Sequence, residues 1–473
     1  MPTTIPQNKQ LLKHLFDILQ AHRPIFKQER TYQRVVAFVL AELFVFARHT
    51  ITQLIMSLGM SEHDWSVWYR LFSAKRFVYD KACTILFRET LNHVNEDEVY
   101  VVAGDSTQTP RSSRKLEGSG WLRNMRTPPF MVGIHAAQRW FNGSWLMPIQ
   151  NGFSRAVPIR WLPAFTEKSQ PTAHEPMKEW QAAVAFLTWL SEQLVVYGRM
   201  SQRILMVADG SYDTLKLWQN LPEGVILLAR SAKNRVLHAL PTSTTGRGRK
   251  PSYGERVDTP QQRWQTQHGW RSLKLDVRGC TRHLSYKVSE AVLRHGAPNC
   301  PLLLIIVRGK RHTTASGKTI RREPLPFLVN AVQNEQGEWV LPLPIETLLL
   351  WAWQRWEIEV CHRELKSNFG LGNKQCFNPH SAVASVQWSA WVYSVLVLAG
   401  YRTWGLCDAP AVPTRWWRGS QRWSLNTLWR AYRSALWEID QFHPLCTPTP
   451  HDWGEKEVLL YALLNAIYAS ARS

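Results

Sequence analysis

Two short apolar runs, each closed by an aspartate, constrain this chain more than any other feature. Val99–Gly104 ends at Asp105 and Ile204–Ala208 ends at Asp209. Uninterrupted apolar runs of this length suit strands buried on both faces, which belong to an α/β fold with a largely parallel sheet. Further strand-like runs are Phe130–Ala136, Trp145–Gln150 and Val225–Ala229, and Asn142-Gly143-Ser144 reads as a hairpin turn between the first two. Helical patterns cover Glu175–Tyr197 and a short segment Thr214–Leu221 capped by Asp213. The order is three strands, helix, strand, helix, strand, an α/β sequence with an antiparallel start.

Around this core the pattern changes. Residues 1–95 are helical, with a leucine-rich stripe over Lys9–Ala21 and a second helix over Tyr32–Arg48. Gly59 and Ser61 then separate two short helices in the outline of a helix-turn-helix, whose second helix would present His63, Ser66 and Arg70. Residues 231–345 alternate strands with basic, Gly-rich loops and read as a β-rich insertion. Helices return over Glu346–Phe369 and Ala382–Trp404, and a Trp- and Arg-rich helical tail follows.

Charge selects the partner class. Lys and Arg number 57 against 36 Asp and Glu, a net +21, which calls for a polyanion, nucleic acid before an acidic membrane. Residues 1–95 carry 12 basic and 7 acidic residues. The 24 tryptophans are core material, but also surfaces on which unstacked bases can rest. No apolar run reaches the ~18 residues of a membrane span, and the N-terminal residues lack the basic-then-apolar order of a signal peptide. Seven dispersed cysteines without a C-x-x-C pair fit a reducing cytosol, not a disulfide framework.

Carboxylates at the ends of separate strands are a recurrent way to hold hard divalent ions such as Mg²⁺, which take oxygen ligands. A third should come from a helix crossing that edge, and the segment 351–372 offers Glu357, Glu359 and Glu364. At 100° per residue, Arg355, Glu359, His362 and Lys366 fall within roughly 60° of one another while Glu357 and Glu364 face away. Glu359 therefore shares a face with the pair suited to phosphate oxygens, Arg355 and Lys366. The plainer alternative is a solvated helix face with i,i+4 pairing. His362 fits an outer metal ligand, a phosphate contact or a packing residue.

Asp105, Asp209 and Glu359, in this order and on these elements, resemble the triad of DDE transposases with an RNase H-like fold. RWEIEVCHRELK at 355–366 is similar to the Y-x2-R-x3-E-x6-K motif of cut-and-paste bacterial insertion-sequence transposases, and Asp105-Ser106-Thr107 to their first-strand motif. The interval of about 150 residues between Asp209 and Glu359 matches the family's β-rich insertion. The motif's Tyr would fall at Ala352; Trp351, one turn before Arg355, is the candidate substitute.

The resemblance implies an RNase H-like catalytic core (96–230 and 346–405) split by the insertion (231–345). A helical DNA-binding domain (1–95) and a C-terminal helical region (406–473) flank it. It implies two Mg²⁺ ions per site, replaceable by Mn²⁺, held by Asp105, Asp209 and Glu359, with metal-dependent cleavage and strand transfer at transposon ends. Arg355 and Lys366 would orient phosphates, and Trp339, or else Trp264 or Trp270, would stack a flipped base. Arg111, Arg114, Lys115, Arg123 and Arg126 after the first strand, and Lys310, Arg311, Lys318, Arg321 and Arg322 in the insertion, are the candidate backbone contacts. The expected partner is double-stranded DNA, bound by a homodimer in a bacterial cytoplasm, with no membrane. The rival readings are a catalytically silent or domesticated DNA-binding protein of the same fold and a structure-selective metal-dependent nuclease.

Overall fold

The computed structural model describes residues 7–45, 47–124, 133–242, 250–309, 311–313, 319–321, 323–410 and 422–437. Helices α1 (Gln7–Ala21), α2 (Glu29–Phe44), α3 (Ile51–Ser57), α4 (Ser66–Ser73) and α5 (Tyr79–Leu91) precede the first strand. The turn between α3 and α4 is made where expected, with Gly59 at φ 69°. Asp64, not Ser61, opens α4 by accepting the Ser66 N–H at 2.9 Å. His63, Ser66 and Arg70 are exposed. The other side of this helical group shares one apolar core with the C-terminal helices: Leu11, Leu15, Ile18, Phe38 and Trp68 are buried with Trp388 and Trp391.

The sheet begins with β1 (Tyr100–Pro110), β2 (Gly120–Arg123), β3 (Ile134–Leu146) and β4 (Ala156–Pro163). It continues, after α6 (Glu179–Val196), with β5 (Ile204–Ala208), α7 (Leu215–Gln219) and β6 (Val225–Arg230). β3 runs antiparallel to β1, with β2 and β4 on its other edge. β5 and β6 then run parallel to β1. Every residue of β5 is buried, as a central strand covered on both faces requires.

Three sequence expectations are corrected. β1 does not end at Asp105: its pairing with β5 stops at Gly104, but its pairing with β3 carries on to Pro110. Asn142-Gly143-Ser144 is no turn but the middle of β3, where all three residues are buried. The hairpin lies at Asn151-Gly152, both at positive φ (49° and 74°), as a two-residue turn of this kind needs. Finally, Thr214 caps α7, accepting the Leu217 N–H at 3.3 Å. Asp213 is instead fully buried, 2.6 Å from Arg235 and 3.4 Å from Arg294.

Gly143 is there for space. A Cβ would stand 2.5 Å from the ring of Phe186, a fully buried residue of α6. Gly143→Ala is expected to cost about 1–3 kcal/mol by overpacking, read as a lower urea midpoint. A loss below about 0.5 kcal/mol would mean the ring yields freely.

The segment from 231 to 344 is β-rich, and it extends the same sheet. Its elements are β7 (Leu237–Ala239), β8 (Arg256–Val257), α8 (Pro260–Gln265), β9 (Arg271–Val277), β10 (Cys280–Val288), β11 (Val292–Arg294) and β12 (Ala297–Val307). These are followed by β13 (Arg311–Thr313), β14 (Thr319–Arg321), β15 (Leu325–Asn330), β16 (Val332–Gln333) and β17 (Trp339–Val340). β15 pairs antiparallel with β6, β12 with β15, and the β9–β10 hairpin hangs from β12.

The helices α9 (Ile345–Gln354), α10 (Trp356–Ser367), α11 (Pro379–Trp404) and α12 (Leu425–Trp437) follow among the described residues. By length and composition α11 could cross a bilayer, although polar residues such as Ser385, Gln387 and Ser389 keep it from being one unbroken apolar run. Most of it is buried inside the protein, where Ser394 donates to the Ala390 and Pro158 carbonyls.

Candidate active site

The parallel ladder of β1, β5 and β6 closes with Gly104 beside Ala208 and Ala208 beside Ala229. Asp105 and Asp209 are therefore the next residues on adjacent strands, one strand spacing apart, about 4.8 Å. Asp209 is held by Ser211, whose backbone N–H and hydroxyl both donate to Oδ1 (2.9 and 2.5 Å). Asp105 accepts the Ser106 N–H at 2.8 Å. Helix α10 crosses this edge, so that Asp105, Asp209, Glu359, His362 and Lys366 line one cleft of about 650 Å³.

Electrostatics mark the cleft. Burial pushes the Asp105 carboxyl up to about 7, and the nearby Asp209 and Glu359 add to the push, while Arg355 and the Ser106 N–H oppose it. His362 is buried and driven down to about 3, first by burial and then by Lys366 and Arg355. It is a neutral imidazole. Asn142 Nδ2 donates to its Nε2 at 3.0 Å, which leaves the proton on Nδ1, 3.7 Å from Asp105 Oδ2. That gap is too long for a hydrogen bond.

Glu359 is paired with Arg355, which sits at the junction of α9 and α10. Among the described residues, no three His, Cys, Asp or Glu side chains are drawn together closely enough to hold a metal ion. The donor set itself, all carboxylate oxygen, suits a hard divalent cation, and mutual repulsion between Asp105 and its acidic neighbours is what such a cation would relieve. The other two glutamates of α10 point elsewhere. Glu357 is bound by Arg278 at 2.9 Å, and Glu364 by Arg155 and Tyr393 at 2.6 and 2.7 Å.

The remaining candidates divide. Arg111 is corrected from a DNA contact to a structural residue. It is buried, donating to Gln138 Oε1 (2.8 and 2.6 Å) and to the carbonyls of Gly372, Lys374 and Ala382. Arg114, Lys115 and Arg123 are exposed, Arg114 lying 5.9 Å above the Trp121 ring. Trp351 and Ala352 are half-buried against the core. Trp339 lines a different cavity of about 710 Å³ with Arg271, Tyr286 and Pro342. Trp264 is half-buried on α8, and the Trp270 ring is flanked by Lys287 (4.7 Å) and Arg308 (4.9 Å). Arg126, Lys310, Lys318 and Arg322 lie outside the described residues, as do the side chains of Arg311 and Arg321.

Among the residues that sequence reasoning missed, Arg139 and Glu179 line the cleft as a 3.0 Å ion pair, and Asn142, outside its lining, donates to His362. Nothing in the sequence marks the first two. Asn142 was hidden inside a false turn signal.

A family model described as DDE superfamily endonuclease matches residues 15–285, a stretch that contains Asp105 and Asp209 and ends before α10. No curated protein matches the chain.

Proposed function

Because this chain belongs to the DDE superfamily endonucleases, we propose that it is a DNA transposase of the cut-and-paste insertion-sequence type. One observation carries the reading: two aspartates that directly follow the end of a parallel ladder on adjacent strands open into the same cleft as Glu359 of α10. The strand order supports an RNase H-like core, with three strands that neighbour one another antiparallel and two more parallel to the first.

In this reading Asp105, Asp209 and Glu359 would hold Mg²⁺, which when bound would supply Lewis-acid activation of the attacking oxygen and stabilisation of the leaving one. The chain's own groups position the substrate. Lys366 lines the cleft and Arg355 stands beside it, and both orient DNA phosphates. Arg355 exchanges Glu359 for a phosphate oxygen, which leaves the carboxylate to join the aspartates. Neutral His362 adds no positive charge to compete with the metal and packs edge-on against Trp161, fixing α10 over the strand ends. The P–O bond at the element's end breaks as a water oxygen bonds to phosphorus and the 3′ oxygen leaves. That freed 3′-OH then attacks a second phosphodiester, with equal numbers of bonds made and broken. The exposed helix α4 is the candidate for reading the ends, on a dimer.

The test is cleavage and joining of labelled DNA carrying the element's own ends, with Mg²⁺ or Mn²⁺, on denaturing gels. Asp105→Ala and Asp209→Ala are expected to lose both reactions and keep DNA binding. Cleavage that survives either change, or binding without cleavage by the wild type, would remove the catalytic reading and favour a silent DNA-binding protein. Cleavage without joining would favour a nuclease.

A further inference from the structure

The insertion carries a second surface outside the acidic cleft. On β10, His283, Ser285 and Lys287 alternate and so share one face. The register sets Lys274 of β9 opposite His283, and Ile306 of β12 opposite Lys287. Arg308 follows two residues after Ile306 and donates its N–H to the Ser285 carbonyl. Trp270, just before β9, confirms the shared face: its ring has Lys287 Nζ at 4.7 Å on it and Arg308 Cζ at 4.9 Å. Helix α8 adds Arg263 along a cleft of about 270 Å³ whose floor includes Lys287 and Ile306.

These cations meet little negative charge. Asp276 stands at the turn end of the hairpin, where it accepts the Thr281 hydroxyl at 2.6 Å, and Asp258, lining the cleft, and Glu290 lie near Arg263. Lys287 donates only to neutral carbonyls, those of Arg263 and Thr266. Among the described residues Arg308 Nε is buried without a hydrogen-bond partner, and its guanidinium is placed by stacking on the Trp270 ring.

The hairpin bearing this face is fixed to the site. Arg278, in its turn, binds Glu357 of α10 at 2.9 Å. Glu357 and Glu359 lie on opposite sides of that helix, about 10–12 Å across, so the face engages a different stretch of ligand from the one in the cleft.

We infer that this basic and aromatic face, Arg263, Trp270, Lys274, His283, Lys287 and Arg308, grips the phosphate backbone of duplex DNA away from the point of cleavage. The inference rests on the proposed function and specifies where that DNA goes. A sheet face with point charges and a ring already covered by two cations suits phosphates along a duplex, not an unstacked base. Such contacts add affinity without sequence information.

The experiment measures binding of the full-length protein to labelled duplex DNA across a salt series, for wild type, Lys287→Gln/Arg308→Gln and, separately, Lys274→Gln. Lys274 is exposed, so its change leaves packing intact. The double change is expected to weaken binding on the order of 10-fold or more and to reduce the log–log salt slope by about 2, the single change by about 1. Single-turnover cleavage at saturating DNA should match wild type for all variants, since none of these residues lines the acidic cleft. Unchanged affinity and slope in Lys274→Gln and the double variant, with wild type binding and cutting, would overturn the face alone. A wild type that neither binds nor cuts DNA would overturn the proposed function beneath it.

Discussion

Glutamine at position 359 is expected to lower metal-dependent DNA cleavage by on the order of 10³-fold or more, with fold and DNA affinity close to wild type. Glu359 is one-third exposed and its ion-pair partner is Arg355, to which a glutamine can still offer a carbonyl oxygen. What the substitution removes is a negative charge facing Asp105 and Asp209. Glu364→Gln should behave in the opposite way. Its carboxylate meets Arg155 at 2.6 Å, with the two side chains 13% and 7% exposed, and accepts the Tyr393 hydroxyl. Neutralising it leaves a buried guanidinium without its counter-charge, at a cost of about 3–5 kcal/mol. Glu357→Gln, facing a more exposed Arg278, should cost less. Cleavage gels and thermal midpoints together separate the three. If Glu359→Gln cuts within 10-fold of wild type, the third acid of the site has been misassigned.

This contrast shows why the helix was readable from sequence. Three glutamates within eight residues point to two sides of α10, Glu357 and Glu364 together and Glu359 opposite, and the 100° step alone separates Glu359 from the others. β5 was readable for a similar reason: a central strand needs apolar residues throughout, so its bounds are visible as a run. β1 was not, because beyond Gly104 it continues as DSTQTP, held by β3 after β5 has stopped. Polar strand residues with one covered face leave no apolar period. The two Asn-Gly pairs are locally alike, and only Phe186, distant in sequence, makes Gly143 a packing residue while Gly152 makes a turn. Arg111 failed for the same reason, since its acceptors come from 27 to 271 residues away. The Arg355–Glu359 pair follows from i,i+4 spacing, but that Arg355 would sit at a helix junction depends on how α9 and α10 pack, which composition does not encode.

Lys374→Met is expected to destabilise the protein by about 3–5 kcal/mol. Glu42 of α2 is fully buried and lies at the junction of the N-terminal helices with α11. It meets Lys374 Nζ at 2.9 Å, His49 Nδ1 at 2.5 Å and the Trp388 indole N–H at 3.0 Å. Burial works to raise its carboxyl, but Lys374 and then His49 outweigh it and hold it at about 2. A carboxyl depressed from 4.5 to about 2 contributes stability that is complete above pH ~4.5 and lost as pH falls toward 2. That contribution is on the order of 3 kcal/mol. Removing the ammonium strands a buried carboxylate, whereas Glu42→Gln/Lys374→Met removes both charges and should recover part of the loss. Urea midpoints of the singles and the double, measured at pH 7 and at successive steps below pH 5, test this. Glu42→Gln should lose less stability than wild type across the acid window. A single Lys374→Met that costs under about 1 kcal/mol, or a double that costs the sum of the singles, would show that the charges at this junction act independently.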